Sequence, residues 1–357
     1  MRIAVLGGGN GAHAAAADLT ELGHEVRWWR RDAAALPRSG ALVLKDARGE
    51  REVRIARLCP GMAEAVGGAD LVFMPDPAFT QEDNAARLAS HLEDGQTVFL
   101  APGTFGAYVM ARKVRDAGSR ADVAFAETGT LPWLSRKHGT QAVAITARAT
   151  RLPTGVFPAR QRERAFGAIR GAFPSIEPVE DVLSAALMNA GPVIHPPLVL
   201  MNAGPLEHFD RWDIHKEGTQ PSIRRVTDVL DGERIAARVK LAYGPPHFPL
   251  ADHYRPDGDE WMYGRRVHQK LTDSGDWRER IVLTEHRYMR EDVALGLAFL
   301  VSACEWAGTP CPVARGLLSL GGAVLGRDLR GGPRTLEALG LAALDVAGLR
   351  RLLQEGL

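Results

Sequence analysis

The chain has 357 residues, of which 45% are hydrophobic and 24% are charged, and its formal net charge is +1. This composition is typical of a globular protein, and the lack of long basic or acidic runs argues against nucleic acid or a membrane surface as a partner. We expect neither a signal peptide nor a membrane-spanning run. The three cysteines have no metal-ligand spacing, so we also expect no metal site and a reducing, cytoplasmic setting.

The first predicted element is a strand that runs into a glycine-rich turn and a helix. Residues 2–6 are apolar, and the alanine-rich residues 12–22 follow the turn. Between them, Gly7, Gly9 and Ala12 match the G-x-G-x-x-G/A fingerprint of dinucleotide-binding turns, in the strand–turn–helix context that the fingerprint requires. The alternative is an ordinary glycine turn. The predicted cofactor-binding residues in and beside the turn are Gly7, Gly9, Asn10, Gly11, Ala12 and, after a later strand, Pro75.

The second predicted strand, residues 24–29, is followed by Arg30 and Arg31. Enzymes that prefer NAD usually carry Asp or Glu at the end of this strand, where the carboxylate binds the ribose hydroxyls. Two guanidinium groups instead suit the 2′-phosphate of NADP. We therefore predict NADP as the cofactor, with both arginines contacting it. The nearby Asp32 keeps NAD open, and solvated surface arginines are the alternative.

Strand-like and helix-like runs alternate over the rest of the first half. The predicted elements are a hairpin at 41–57, strands at 69–74, 96–101 and 121–126, a peripheral strand at 141–147, and helices at 80–92, 108–116 and 158–173. Alternating strands and helices imply a parallel, doubly wound sheet of the Rossmann type. The carboxyl ends of its strands would form the crevice for a dinucleotide.

The pattern changes near residue 180 and becomes mostly helical. Helices are predicted at 182–190, 197–203, 222–241 and 290–306, and the Pro-, His- and Trp-rich residues 242–270 are predicted to be irregular. The fold class is therefore α/β, with an N-terminal Rossmann-like doubly wound domain, residues 1–180, followed by an all-helical domain, residues 181–357. We expect the substrate in a cleft between the two domains.

His195 stands just after this predicted joint, in the run Asn-Ala-Gly-Pro-Val-Ile-His195-Pro-Pro. Because Pro196 and Pro197 follow it, we expect extended backbone at His195 and a helix that begins on the prolines. A histidine held at such a joint is a candidate acid/base group near neutral pH. The alternative is a buried core histidine.

Asp292 and Arg287 form a second candidate group near the start of the predicted helix 290–306. We expect Asp292 in the first turn, where the helix dipole favours its anion and where it could accept the Nδ1 proton of His195. The alternative is plain helix capping. Arg287, five residues earlier, cannot share an α-helical face with Asp292, so we predict that it binds a substrate carboxylate, with a surface arginine as the alternative. The histidine-rich run 208–215 lacks a known metal-ligand motif.

With these motifs in place, the chain resembles the opine dehydrogenases, the octopine/nopaline dehydrogenase family, and most of all the bacterial branch typified by N-(1-carboxyethyl)norvaline dehydrogenase. The resemblance runs nearly end to end and rests on the glycine turn with His13, residues 101–107, Glu127-Thr128, residues 189–196, Arg287-Tyr288 with Glu291-Asp292-Val293, and residues 334–341. It implies a catalytic pair of His195 and Asp292, a contact between Arg287 and a substrate carboxylate, and a pocket lined by Asn189.

The chain departs from this family pattern at two places. NAD-using relatives carry an aspartate where this chain has Arg30, and Gly191 and Pro192 replace bulkier or more polar residues beside His195. The first departure bears on the cofactor and the second on the substrate.

The resemblance implies an NAD(P)-dependent opine dehydrogenase, which condenses a 2-oxo acid with the amino group of an amino acid and reduces the product, or runs the reverse oxidation. One alternative is an NADP-dependent 2-oxo-acid reductase of the ketopantoate reductase kind, which needs no amine. Another is a protein that binds the nucleotide without chemistry. We further expect small-molecule substrates and a homodimer.

Overall fold

The structure is a computed structural model that describes residues 1–37, 39–275 and 277–357. These residues divide into two compact units. The first unit comprises Met1–Ala186 together with Leu352–Leu357, and the second comprises Leu187–Arg351. Each unit is described by itself below.

The two compact units differ from the predicted domains at both boundaries. The first unit extends past residue 180 to Ala186, and it also takes in the last residues of the chain. Those last residues are held by arginines of the first unit. Arg115 donates to the carbonyl of Leu357 (2.9 Å), and Arg160 donates to the carbonyl of Glu355 (2.9 Å).

The first unit contains all the strands of the described residues. They are β1 (Arg2–Leu6), β2 (Glu25–Trp29), β3 (Ala41–Asp46), β4 (Gly49–Arg54), β5 (Arg57–Cys59), β6 (Leu71–Met74), β7 (Thr97–Leu100), β8 (Ala124–Thr128), β9 (Trp133–His138), β10 (Ala142–Arg148), β11 (Leu152–Phe157) and β12 (Ile176–Pro178). Its helices are α1 (Asn10–Glu21), α2 (Met62–Val66), α3 (Gln81–Leu88), α4 (Gly106–Asp116), α5 (Arg162–Ala172) and α6 (Val182–Ala186).

Within the described residues, eight strands form the main sheet, in the order β12-β11-β8-β7-β6-β1-β2-β5. β1 pairs in parallel with β2 on one side and with β6 on the other, and β7 and β8 continue the parallel pairing. β11 runs antiparallel to β8. The order from β5 to β8 is that of a doubly wound dinucleotide-binding sheet, so the predicted Rossmann-like fold is confirmed.

The alanine-rich sequence of α1 lets this helix lie close to the sheet. Ala14, Ala15, Ala16 and Ala17 have no solvent exposure, and they belong to the same core as Ile3 and Val5 of β1 and Phe73 of β6. Small side chains on α1 therefore set the position of the helix start, just after the glycine turn.

A second sheet in the first unit follows the order β4-β3-β10-β9, again within the described residues. The predicted hairpin appears in it as β3 and β4, whereas β9 was not predicted because its sequence mixes polar and apolar residues without clear alternation. This sheet is tied to α1 by Asp18. Trp133 Nε1 and Arg148 donate to the Asp18 carboxylate at 2.7 Å and 2.6 Å.

Helices are the regular secondary structure of the second unit, within the residues that the structure describes. It contains α7 (Gly191–Met201), α8 (Ala203–His208), α9 (Pro221–Lys240), α10 (Ala251–Tyr254), α11 (Val267–Ser274), a π-helix (Tyr288–Leu297), α12 (Ala298–Trp306), α13 (Pro312–Leu325) and most of α14 (Val346–Glu355). The predicted all-helical second half is therefore confirmed.

The backbone at His195 is helical, so the expectation of an extended residue before a new helix is wrong. Helix α7 begins at Gly191 and contains Pro196 and Pro197 in its interior. Prolines lack the N–H that would bond to the carbonyl one turn earlier, and this normally stops a helix. Here both proline rings are buried, and α7 packs against the π-helix, α9 and α13. Tertiary packing overrides the local preference.

The segment Val182–Met201 corrects another expectation. The run has 20 residues, and an 18-residue window within it has a mean hydropathy of 1.3. By length and composition alone, this run could cross a membrane. However, 78% of the window is buried within the protein, as in the core helix of a globular protein. Helices α6 and α7 share this run and are separated by a short turn.

Candidate functional site

The glycine turn between β1 and α1 has the shape of a phosphate-binding loop. Gly7 has a φ of +137°, which a residue with a side chain rarely adopts. A Cβ on Gly7 would also lie 2.5 Å from Asp76 Oδ1. Among the described residues, no atom lies within 4 Å of a Cβ built on Gly9, and no described side chain caps the start of α1. Open space over Gly9 and uncapped helix amides fit the pyrophosphate of a dinucleotide.

Two buried aromatic side chains hold this turn in place. Trp28 Nε1 donates to the carbonyl of Gly7 at 2.8 Å, and His13 Nδ1 lies 2.9 Å from the carbonyl of Gly9. Burial lowers the pKa of His13 to about 4, so its ring is neutral at physiological pH and Nδ1 carries the proton that it donates. The two rings pack edge to face, 4.8 Å apart. The sequence pattern predicted no role for either ring.

Asn10, Gly11 and Pro75 build the turn. Gly11 lies so close to Pro75 that a Cβ would be 2.7 Å from the proline ring. Asn10 Oδ1 accepts a hydrogen bond from the backbone of Lys137 in β9 at 3.1 Å. Ala12 is fully buried under the turn. Direct contact of these residues with a cofactor stays a prediction.

The two arginines after β2 are placed differently. The guanidinium of Arg30 lies against the glycine turn, because a Cβ on Gly8 would be 2.8 Å from its Cζ atom. Arg31 points to α3 and forms an ion pair with Asp83 at 2.6 Å. The structure therefore places Arg30 at the turn and Arg31 away from it, although both were predicted to contact the cofactor.

In the second unit, the structure brings His195 and Asp292 together although they are distant in sequence. His195 Nδ1 lies 2.7 Å from Asp292 Oδ2, and the side chains are 13% and 6% exposed. Glycines allow this approach of α7 and the π-helix. A Cβ on Gly191 would lie 2.2 Å from Asp292 Oδ1, and a Cβ on Gly296 would lie 2.3 Å from the ring of Pro192. The glycine that departs from the family pattern thus leaves room for the carboxylate.

The helix that carries Asp292 is a π-helix over Tyr288–Leu297, not the predicted α-helix with Asp292 in its first turn. The acidic residue of the first turn is Glu291, and Asp292 follows it. In a π-helix each backbone hydrogen bond spans five residues, so residues five apart lie near each other. The expectation that Arg287 and Asp292 occupy different faces is therefore wrong, and the charge of Arg287 acts on the pKa of Asp292.

Asp292 is not the dipole-stabilised anion that its predicted position implied. Burial raises the pKa of Asp292 to about 7, and the positive charges of Arg287 and His286 oppose this shift. Desolvation is the larger effect because the carboxylate is nearly inaccessible to water. A single proton between Nδ1 and Oδ2 can therefore satisfy both members of the pair near neutral pH.

Arg287 is available to a ligand. Its side chain is 41% exposed, and its guanidinium lies 3.8 Å from Glu291 and 4.9 Å from the centre of the Tyr288 ring. Asn189 is buried, and its Oδ1 accepts a hydrogen bond from the backbone of Gly191 at 3.0 Å. Asn189 therefore orders the start of α7, while its predicted place in a substrate pocket stays a prediction.

Three further rings near His195 were not predicted as part of the site. Tyr288 stacks on the imidazole of His195, with ring centres 3.8 Å apart and planes 18° apart. His215 lies 6.2 Å from the His195 ring, and His286 lies 4.4 Å from the Tyr288 ring. The position of Tyr288 next to Arg287 was a signal in the sequence, whereas the run that contains His215 was considered only for metal binding. The described residues contain no group of three or more His, Cys, Asp or Glu side chains placed to hold a metal ion.

Comparison with known proteins agrees with this arrangement. The sequence model described as "NAD/NADP octopine/nopaline dehydrogenase, alpha-helical domain" matches residues 178–325. An opine dehydrogenase from Arthrobacter sp. (strain 1C) is 28% identical over 97% of both chains. The second half of the chain thus matches the helical domain of the octopine/nopaline dehydrogenase family, and the whole chain is similar to an opine dehydrogenase. The matched helical domain contains His195, Asn189, Arg287 and Asp292.

Solved structures share the fold. Octopine dehydrogenase bound to NADH and L-arginine superposes with a TM-score of 0.65 at 18% identity, over 96% of this chain and 98% of the other. A 2-dehydropantoate 2-reductase from Geobacter metallireducens GS-15 superposes with a TM-score of 0.62 at 16% identity, over 91% of this chain and 100% of the other. The fold is therefore common to opine dehydrogenases and ketopantoate reductases.

Proposed function

We propose that this protein is an NAD(P)-dependent opine dehydrogenase. It condenses a 2-oxo acid with the amino group of an amino acid and reduces the product, or oxidises the resulting secondary amine. The observation that carries the proposal is the hydrogen-bonded pair of His195 and Asp292, 2.7 Å apart, in the helix pair that also presents the half-exposed Arg287. The glycine turn of the first unit is the proposed dinucleotide site.

His195 serves as the acid/base group in this proposal. Its Nδ1 faces Asp292, so Nε2 is the ring nitrogen that exchanges a proton with the substrate. It protonates the oxygen of the carbinolamine, so that water leaves and an imine forms. Asp292 fixes the tautomer and stabilises the imidazolium. In the reverse direction, His195 takes the proton from the attacking water.

Arg287 binds and orients the substrate in this proposal. Its planar guanidinium can hold the carboxylate of the 2-oxo acid with two parallel hydrogen bonds. The nicotinamide cofactor supplies the hydride that the imine carbon receives. Gly7, Gly9 and the start of α1 would hold its pyrophosphate, and Arg30 would lie beside the adenosine ribose.

The deciding experiment is a substrate panel. Oxidation of NADPH and NADH is followed with a set of 2-oxo acids, each with and without a set of amino acids. We expect cofactor oxidation only when oxo acid and amine are both present, and a secondary amine dicarboxylate as the product by mass spectrometry. Oxidation that proceeds equally without any amine would support a 2-oxo-acid reductase of the ketopantoate reductase kind instead. Cofactor binding with no turnover on any pair would support a nucleotide-binding protein without chemistry.

We propose NADP(H) as the preferred cofactor. The support is Arg30, whose guanidinium lies on the glycine turn at the end of β2, where a 2′-phosphate would be found. Arg31 is engaged by Asp83 and contributes less.

We also propose a homodimer and a reducing, cytoplasmic setting. The dimer is supported by large apolar side chains on α9 and α13, since Val229, Val239 and Leu320 are 53%, 58% and 59% exposed. The setting is supported by three unpaired, buried thiols. Light scattering on the wild type and on Val239→Asp tests the dimer: we expect a dimer that the aspartate weakens. Cell fractionation tests the setting.

A further inference from the structure

Tyr288 packs beside the candidate acid/base pair. It is the first residue of the π-helix, it follows Arg287 directly, and it is 1% exposed. Its ring stacks face to face on His195 at 3.8 Å. The guanidinium carbon of Arg287 lies 4.9 Å from the centre of the same ring. One aromatic ring therefore contacts both the histidine and the arginine to which the reaction is assigned.

The ring of Tyr288 is itself held from two other directions. His286 meets it edge to face at 4.4 Å and 69°, and His215 does so at 6.4 Å and 89°. The hydroxyl oxygen lies 3.5 Å from His215 Nε2. A fully buried ring with neighbours on its face and its edges cannot turn without moving them. Its plane is therefore fixed.

The fixed plane of the Tyr288 ring restricts the orientation of the His195 imidazole. The hydrogen bond to Asp292 holds one ring nitrogen, but the imidazole could still swing about the line from Nδ1 to Oδ2. Stacking against Tyr288 removes that freedom, because a swing would break the contact between the two faces. Nε2 then keeps one direction, which is what proton exchange with a bound substrate requires.

We propose that Tyr288 is a positioning residue that orders His195 by stacking and Arg287 by a cation–π contact. This inference rests on the proposed function for its kinetic part. It assigns the role to the aromatic ring and not to the hydroxyl. The ring makes close contacts, whereas the hydroxyl lies 3.5 Å from His215 Nε2, at the limit of a hydrogen bond.

The test compares Tyr288→Phe, which keeps the ring, with Tyr288→Leu, which removes it. Tyr243→Leu is the matched control, because Tyr243 is also buried in the second unit and also lies under an arginine, Arg238. We expect Tyr288→Leu to lower kcat on the order of 10-fold or more and to raise KM for the oxo acid, since small misplacements of reacting groups cost large factors in rate. Tyr288→Phe and Tyr243→Leu should keep kcat and KM within about 3-fold.

A second measurement does not depend on turnover. Carbon-13 NMR relaxation of the His195 ring reports how freely the ring moves. Because Asp292 fixes the tautomer and Tyr288 fixes the ring plane, we expect an ordered ring in the wild type, Tyr288→Phe and Tyr243→Leu, and a mobile ring in Tyr288→Leu. An equally ordered ring and an unchanged kcat in a folded Tyr288→Leu protein would overturn the inference, as would equal losses in the Phe and Leu variants. If no substrate pair is turned over but the ring becomes mobile as expected, the proposed function fails while the positioning role stands.

Discussion

At the scale of single residues, cofactor choice is assigned to Arg30. Its guanidinium already lies on the glycine turn, so a 2′-phosphate would gain a charge-assisted contact there. We expect Arg30→Asp to weaken NADP(H) binding by about 1.5–3 kcal/mol, or roughly 10- to 100-fold, and to move preference toward NAD(H). Isothermal titration with both cofactors measures this directly.

Arg31→Ala is the control for this prediction, because it removes a neighbouring arginine that is tied to Asp83. Exposed ion pairs of this kind contribute at most about 1 kcal/mol, so the effect on either cofactor should be small. Equal losses from the two substitutions, or a wild type that binds NAD(H) as tightly as NADP(H), would remove Arg30 from its proposed role.

The second prediction at this scale concerns the pair of His195 and Asp292. If the two act as a unit, His195→Ala and Asp292→Asn should each lower kcat by about 10²- to 10⁴-fold, the usual contribution of acid–base catalysis. The double variant should be little slower than the slower single variant, because effects within one unit are not additive.

Melting curves separate this outcome from a structural role for Asp292. Asn at this position keeps the size of the side chain but changes the hydrogen bond to His195 Nδ1. A loss of melting temperature without a loss of kcat would make the contact structural. Small, strictly additive effects on kcat would show that the two residues work separately.

At the scale of secondary structure, local patterns predicted what local interactions determine. Apolar runs that end in glycine or proline marked β1, β6 and β7, and the fingerprint placed α1 correctly. The prolines after His195 were misread, because the packing of α7 against three other helices is a tertiary effect that no local rule contains. The π-helix escaped prediction for the same reason. Its wider turn brings Arg287 near Asp292, whereas the spacing suggested that they lie apart.

The contact between α7 and the π-helix gives the element-scale prediction. Gly191→Ala would place a methyl group 2.2 Å from Asp292 Oδ1, and Gly296→Ala would place one 2.3 Å from Pro192. The Asp292 carboxylate can yield only by leaving its position beside His195, and the Pro192 ring is fixed to the backbone of α7. We therefore expect both variants to lose kcat and to unfold at lower temperature. Steady-state kinetics and thermal melting measure the two effects.

Gly232→Ala supplies the matched control within the same unit. Gly232 lies inside α9, and apart from its chain neighbours and the backbone of α9 itself no described atom lies within 4 Å of a Cβ built there. Alanine is the better helix former, so this variant should gain about 0.5–1 kcal/mol of stability and keep kcat. A Gly191→Ala protein as active as Gly232→Ala would mean that the two helices can separate without disturbing the pair.

At the scale of the whole molecule, protonation links stability to pH. Burial lowers the pKa of His13 in the first unit to about 4 and that of His253 in the second unit to about 3. In the folded protein both rings are therefore neutral at pH 5 and above. In the unfolded chain each ring has its ordinary pKa of 6.5 and binds a proton below that pH. Acid therefore favours the unfolded chain. Asp292 acts in the opposite sense, because burial raises its pKa and the folded pair of His195 and Asp292 therefore holds a proton more readily than a free aspartate does.

These opposing contributions can be separated by a single substitution at His253. Its ring is 7% exposed, and besides burial the neighbouring charges of His268, His215 and Arg224 lower its pKa. The contribution of the neutral His253 ring to the free energy of unfolding is fully present above about pH 6.5. It falls by about 1.4 kcal/mol per pH unit as the pH decreases toward 4. His253→Phe removes this slope. We therefore expect the free energy of unfolding of the wild type relative to the variant to be constant from pH 8 to about 6.5 and to fall by that amount per unit from about pH 6.5 to 5, measured by urea unfolding at several pH values.

The exposed His208, changed to Phe, is the control for the substitution itself. The contribution of Asp292 is common to all three proteins and cancels in the differences, provided that each unfolds in one step, which coincident fluorescence and circular dichroism transitions establish. A stability difference between wild type and His253→Phe that is the same at pH 8 and pH 5 would mean that His253 is protonated in the folded protein. The link between buried histidines and acid lability would then have to be abandoned for the second unit.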